Sequence, residues 1–174
     1  MKALLLYSSQ EGQTRKIIER IAQQMPEYDC DIQDLHQVDE IALADYDKIL
    51  IGASIRYGRL NEKLYQFIQR HVTVLTNSKA AFFCVNLTAR KEDQGKDTPE
   101  GSVYIQTFLK KSLWQPERIA VFAGALYYPR YRWFDKMMIR LIMTLTGGET
   151  DTSKEVEYTN WNKVSQFAEQ FRNW

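Results

Sequence analysis

Residues 7–14, Tyr-Ser-Ser-Gln-Glu-Gly-Gln-Thr, bring together the groups that hold an anion. They follow the apolar run Ala3-Leu4-Leu5-Leu6 and lead into a helical pattern, so the order is strand, polar loop, helix. Such a loop offers backbone N–H groups from the open end of the helix, hydroxyls from Ser8, Ser9 and Thr14, and a glycine at 12 that lets the backbone close around oxygens. A phosphate is the natural guest. No lysine follows the glycine, so this is not the loop that cradles a nucleoside triphosphate, and no G-x-G-x-x-G marks a dinucleotide site.

Other reactive side chains are sparse. The two cysteines, Cys30 and Cys84, have no C-x-x-C spacing and read as reduced thiols. His36, near the end of an expected strand, and His71, expected at the end of a helix where an imidazolium would face the dipole, are unclustered. No metal site, no Ser-His-Asp or Cys-His set and no general acid or base is assigned. Lys and Arg outnumber Asp and Glu by 23 to 22, so overall charge does not call for nucleic acid. No apolar run reaches the roughly 18 residues of a membrane span, and no basic segment precedes an apolar stretch with a cleavage site. The expectation is a protein neither exported nor threaded through a bilayer.

The elements that must position the loop are legible from periodicity. Residues 2–7 read as a buried strand, and 14–25 as a helix with Ile17, Ile18, Ile21, Ala22 and Met25 on one face, stopped by Pro26. Strands follow at 29–35, 48–53, 80–85 and 119–126, with a short extended piece at 155–158. Leu60, Leu64, Phe67 and Ile68 mark a second helix, and Thr98-Pro99-Glu100 reads as the start of a third that carries Tyr104, Ile105, Phe108 and Leu109 inward. A last helix packs Trp161, Val164, Phe167, Ala168 and Phe171. Alternating strands and helices over 174 residues predict one α/β domain, a doubly wound five-stranded parallel sheet with helices on both faces. Ligands of such sheets bind at the carboxyl ends of the strands, which gathers loops 8–14, 54–59 and 86–91.

With those loops in place the chain resembles the flavodoxin family. Ser9-Gln10-Glu11-Gly12-Gln13-Thr14 stands where that family holds the phosphate of FMN, and Asp45-Tyr46-Asp47 precedes the strand Ile49 to Ala53 as it does there. Gln10 and Glu11 replace hydroxyl residues common in the family, so the Glu11 carboxylate must point away from the phosphate. By the same resemblance, Ser54-Ile55-Arg56-Tyr57-Gly58 and Asn86-Leu87-Thr88-Ala89-Arg90 flank the flavin ring. More narrowly, residues 51–58, 85–91, 123–126 and Tyr128-Pro129-Arg130-Tyr131-Arg132-Trp133 resemble the bacterial flavodoxin-like protoporphyrinogen oxidases that use menaquinone or another quinone. That resemblance implies FMN, protoporphyrinogen IX as substrate in haem synthesis, a membrane quinone such as menaquinone or ubiquinone as acceptor, and a cytoplasmic protein peripheral on the inner face of the bacterial membrane.

Residues 127–150 read as an insertion near the fifth strand. On a helix over 131–146, Phe134, Met137, Met138, Leu141 and Leu145 form one apolar face, while Arg132, Lys136 and Arg140 repeat every four residues opposite it, with Ile139 and Met143 interrupting the polar side. Sixteen helical residues span about 24 Å and include charges, so the segment suits the surface of an anionic membrane rather than a crossing. A porphyrinogen, a large apolar macrocycle with two propionates, calls for aromatic walls and guanidiniums. The candidates are Arg56, Arg90, Arg130 and Arg132 with Tyr57, Tyr127, Tyr128 and Trp133. Against the enzyme stand a flavodoxin electron shuttle, whose acidity this chain lacks, and an NAD(P)H:quinone reductase, whose nicotinamide pocket is not evident. A receiver-like signalling module would want an Asp where Gly52-Ala53 stands.

Overall fold

The computed structural model describes residues 1–174. Five strands, β1 (Lys2–Ser8), β2 (Asp29–Asp34), β3 (Lys48–Ser54), β4 (Lys79–Asn86) and β5 (Arg118–Ala123), form one parallel sheet in the order β2-β1-β3-β4-β5. Side chains alternate across it as strand geometry requires. Leu4, Leu6, Ile49, Ile51 and Phe82 join a cluster with Leu64, Phe67, Ile105 and Phe108, from α2 (Glu62–Asn77) and α3 (Val103–Lys111). Ala3, Leu5, Leu50 and Phe83 join Ile17, Ile18, Ile21, Phe167 and Phe171, from α1 (Gln13–Gln23) and α5 (Trp161–Arg172). Both faces are covered, which is why the central strands read as continuous apolar runs.

A Cβ at Gly52 would lie 2.2 Å from the Phe83 ring, so no larger residue fits between β3 and its neighbour. Lys48, almost fully buried, donates from Nζ to the carbonyls of Phe171 at 2.5 Å and Arg172 at 2.6 Å, a cation on the carboxyl end of α5.

Three expectations shift. The fifth strand ends at Ala123; after Gly124, Ala125–Tyr127 forms β6, paired antiparallel with β7 (Glu155–Glu157). The third helix starts at Val103, not near Thr98: Ser102 is its cap, and Thr98 Oγ1 instead accepts from Gly101 N at 3.0 Å in a turn where Gly101 packs on the Gly95 carbonyl. His71 lies inside α2, not at its end, because the helix runs on to Asn77. Its ring packs on Phe67 at 4.5 Å, and burial, with the charge of Arg70 adding to it, holds its pKa below the ordinary value.

The two-stranded β6–β7 ribbon carries α4 (Trp133–Thr146) between its strands. Met143 is buried against Leu126 and Tyr128, with Ile139 alongside, so the residues expected to interrupt the polar side are the ones that dock the helix. Trp133, at 75% exposed, and Phe134, Met137, Leu141 and Leu145 face outward. A helix packed as ordinary core would bury them. The last turn closes on Gly147, with φ of 72°, and Gly148 N donates to Met143 O at 2.8 Å.

Candidate functional site

Loops at the carboxyl ends of β1, β3 and β4, with α4 across them, enclose a cavity of about 480 Å3. At one end is the loop before α1. Gly12 caps that helix with φ of 94°, a left-handed conformation that favours glycine, and no side chain caps its first amides. Ser9 Oγ accepts from Gly12 N at 3.1 Å. Thr14 Oγ1 is buried with no hydrogen-bond partner, in a residue that lines the cavity. An orphaned hydroxyl beside uncapped helix amides is unfavourable until an acceptor arrives, so these groups fit a phosphate.

Glu11 does not oppose that anion. Its carboxylate turns to Arg56 Nη1 at 2.5 Å, as the sequence required of it. Arg56 Nη2 also donates to Asp135 Oδ2 at 2.9 Å, and Tyr57 donates its hydroxyl to Asp135 Oδ1. Burial works to lower the Arg56 pKa; the hydroxyl of Tyr57 and the two carboxylates outweigh it and keep the guanidinium charged. Tyr57, with φ of 50°, turns the tight hairpin between Arg56 and Arg59, backed by Gly58 at φ of 73°.

The cavity gathers Ser9, Glu11, Gln13 and Thr14 from the first loop, Ser54, Ile55, Arg56, Tyr57 and Gly58 from the second, and Asn86, Leu87 and Thr88 from the third. Tyr104 adds a wall, and Tyr131, Asp135, Met138, Ile139 and Ile142 make the roof. Gln13 is committed elsewhere by its side chain: Nε2 donates to Glu157 at 3.1 Å and Thr159 at 2.9 Å, and Oε1 accepts from Tyr127 OH at 2.5 Å. It braces the insertion, leaving its backbone to the loop.

Several sequence candidates lie away from the cavity. Gln10 faces a second, polar cavity with Arg59 and His36, where His36 Nε2 and Ser8 Oγ are 2.8 Å apart. Ala89 is buried, and its N–H donates to Asn86 Oδ1 at 2.9 Å, which shapes the turn without reaching the cavity. Arg90 is a correction: its Nη1 donates to Leu87 O at 2.7 Å and its Nη2 to Thr146 O and Oγ1, which pins the end of α4. Tyr128 is another. It is fully buried with its hydroxyl on Glu149 O at 2.7 Å, so it is core of the insertion and no substrate wall. Arg130 pairs with Glu155 at 2.8 Å and lies over the Tyr127 ring, outside the cavity. Arg132 and Trp133 stand exposed at the start of α4. The residue that sequence reasoning missed is Asp135; its signal was a lone acid among the bases of residues 128–146.

No helix is long and apolar enough to cross a membrane, and no group of three or more His, Cys, Asp or Glu side chains is placed to hold a metal ion. Burial pushes the Cys84 thiol up to about 12, leaving it inert.

The flavodoxin domain family matches residues 4–153. Over 170 residues, 97% of this chain and 93% of the relative, the sequence is 47% identical to a protein of Escherichia coli strain K12 named protoporphyrinogen IX dehydrogenase (quinone). A Leishmania major protein of the same name is 46% identical over 98% of this chain and 74% of its own length. Among solved structures, oxidised flavodoxin 1 from Bacillus cereus matches with a TM-score of 0.55 at 17% identity, covering 99% of this chain and 98% of that one. A flavoprotein in complex with FMN from Lactobacillus acidophilus NCFM matches with a TM-score of 0.50 at 18% identity, covering 69% and 92%.

Proposed function

This chain belongs to the flavodoxin family, and from that membership we propose that it is a quinone-dependent protoporphyrinogen IX dehydrogenase working through FMN. The observation that carries the reading is the 47% identity running over nearly the whole of both chains, insertion included. The cavity supports it, since it joins a phosphate-fitting loop to a mostly apolar slot.

Bound FMN supplies the two-electron acceptor. The amides of α1, Ser9 and the free hydroxyl of Thr14 would hold its phosphate, with Glu11 drawn aside by Arg56. Residues 54–58 and 86–88 would flank its ring, with Met138, Ile139 and Ile142 as an apolar cover over it. Conversion of a porphyrinogen to a porphyrin removes six electrons, so the site must be discharged to quinone three times per product.

The outward face of α4 is where such a protein would meet lipid. Trp133, Phe134, Met137, Leu141 and Leu145 form an apolar stripe with Arg132, Lys136 and Arg140 at its margin, a pattern that suits an anionic surface. We place the protein on the inner face of the cytoplasmic membrane, with quinone reaching the cavity beneath α4. The test is anaerobic: protein, FMN, protoporphyrinogen IX and a menaquinone analogue should together give porphyrin fluorescence, and omission of either FMN or quinone should abolish turnover.

A further inference from the structure

Protoporphyrinogen has four pyrrole N–H donors, and its oxidation releases protons as well as hydride. Both facts ask for an anionic acceptor inside the site. The titratable side chains lining the cavity are Glu11, Arg56, Tyr57, Tyr104, Tyr131 and Asp135. Tyr104 is pushed up by burial and Tyr131 reaches about 12 for the same reason, Arg56 is a cation, and Tyr57 is oriented as a donor. Neither histidine lines this cavity. Two carboxylates remain. Glu11 belongs to the phosphate loop and is held there by Arg56.

Asp135 sits differently. It is 7% exposed, on a roof whose neighbouring cavity residues are Met138, Ile139 and Ile142. A methionine there would dock α4 without the cost of taking a carboxylate out of water. The charge is instead retained and compensated by two donors from the opposite loop, Arg56 Nη2 and the hydroxyl of Tyr57. Each carboxylate oxygen keeps a further lone pair for a pyrrole N–H.

We propose that Asp135 is a catalytic residue that receives the pyrrole N–H groups of the porphyrinogen and takes the proton released as the macrocycle is oxidised; this rests on the function proposed above. In the first two-electron step a bridging methylene C–H bond breaks and hydride passes to FMN. The π electrons of the adjoining pyrrole close the new double bond between ring and bridge, and that pyrrole's N–H bond breaks with its electron pair left on nitrogen. The proton forms an O–H bond on Asp135. It leaves through Tyr57, a residue 58% exposed: once Asp135 is protonated the phenol O–H turns from it to solvent, and the phenol oxygen takes the proton from Asp135 as its own passes to water. The groups facing Asp135 are Arg56 and Tyr57 from the hairpin, with Glu11 beyond Arg56 and Lys136 the charge next to it on α4.

The test compares the FMN-loaded parent with Asp135→Asn and Asp135→Glu in three measurements. These are single-turnover flavin reduction by protoporphyrinogen IX, reoxidation of the dithionite-reduced protein by menadione, and binding to the FMN-free protein of a water-soluble meso-octaalkyl porphyrinogen. That last compound presents four N–H groups and has no bridging hydrogen to lose. Asp135→Asn should slow flavin reduction by about 10² to 10⁴-fold, the usual worth of a positioned proton acceptor. It should leave menadione reoxidation unchanged, and weaken analogue binding about tenfold or more. Asp135→Glu should recover much of the lost rate. An Asn variant that reduces its flavin at the parent's rate overturns the proposal, as do equal losses in both half-reactions, which would make Asp135 a mere strut for α4. If the Asn variant fails to fold or to hold FMN, Asp135→Ser is judged by the same criteria. A parent that does not oxidise protoporphyrinogen refutes the function itself and this proposal with it; an active parent beside an unimpaired Asn variant refutes this proposal alone.

Discussion

Arg56 and Asp135, 79 residues apart in sequence, meet at 2.9 Å and join the hairpin after β3 to the insertion helix. With Glu11 on the other side of the same guanidinium, three segments close on one cation. Its side chain is 31% exposed, so solvent screens the pairs only in part. Removing the cation leaves Asp135 buried with only the Tyr57 hydroxyl to compensate it. Arg56→Ala should lower stability by about 1–3 kcal/mol in urea unfolding. In a double-mutant cycle with Asp135→Asn the two losses should fall well short of adding, and simple additivity would mean that the contact carries no energy.

Thr14 offers a cleaner reading of cofactor affinity, because its hydroxyl has no partner within the protein to lose. Thr14→Ala should therefore leave stability unharmed yet weaken FMN by roughly 1.5–3 kcal/mol, about ten- to a hundredfold in Kd, the worth of a charge-assisted hydrogen bond. Fluorescence-quenching titration measures it. An unchanged Kd would remove Thr14 from the phosphate site.

On α4, Leu141 and Leu145 are exposed, and Leu145 is 78% so. Leu141→Glu should change folding stability by no more than about 0.5 kcal/mol while releasing the protein from vesicles. Arg132→Ala with Arg140→Ala should release it only from anionic vesicles, and the difference from the parent should vanish at high salt. Flotation with neutral and anionic lipid decides between them; parent protein that stays with neither vesicle contradicts the membrane reading.

His71 makes a prediction about pH. Because burial lowers its pKa in the folded protein, the unfolded chain binds more protons in the window below the ordinary histidine value. The stability it permits is present above that value and is lost as pH falls toward the folded pKa. Replacement by His71→Gln should flatten the decline in unfolding free energy between roughly pH 7 and pH 5. An unaltered slope would place the histidine in solvent.

Much of this was legible in the sequence because strands buried on both faces and helices with one apolar stripe declare themselves locally. Ile17, Ile18 and Ile21 pack as their spacing demands, and the loop that fits a phosphate lies between β1 and α1 as the strand–loop–helix order predicts. What escaped depends on where the insertion folds back. Nothing in the neighbourhood of Arg90 tells that it will hold Thr146, nor does Tyr128 reveal that Glu149 takes its hydroxyl. The amphipathic pattern of α4 was visible, but which side met the domain was not. Met143 and Ile139 look like flaws in a polar face until the β6–β7 ribbon turns that face inward. Asp135 was similarly masked, a single acid whose meaning comes only from Arg56 and Tyr57 across the cavity.

The central claim, that this protein oxidises a porphyrinogen and hands the electrons to quinone, is tested most directly by anaerobic stoichiometry. With FMN-loaded protein in excess lipid, protoporphyrinogen IX and a limiting menaquinone analogue, porphyrin appearance and quinol formation are followed together. The account predicts three quinols for each protoporphyrin and no porphyrin once quinone is exhausted. Porphyrin formed without quinone consumption, or quinone reduced only when a nicotinamide nucleotide is added, would contradict it.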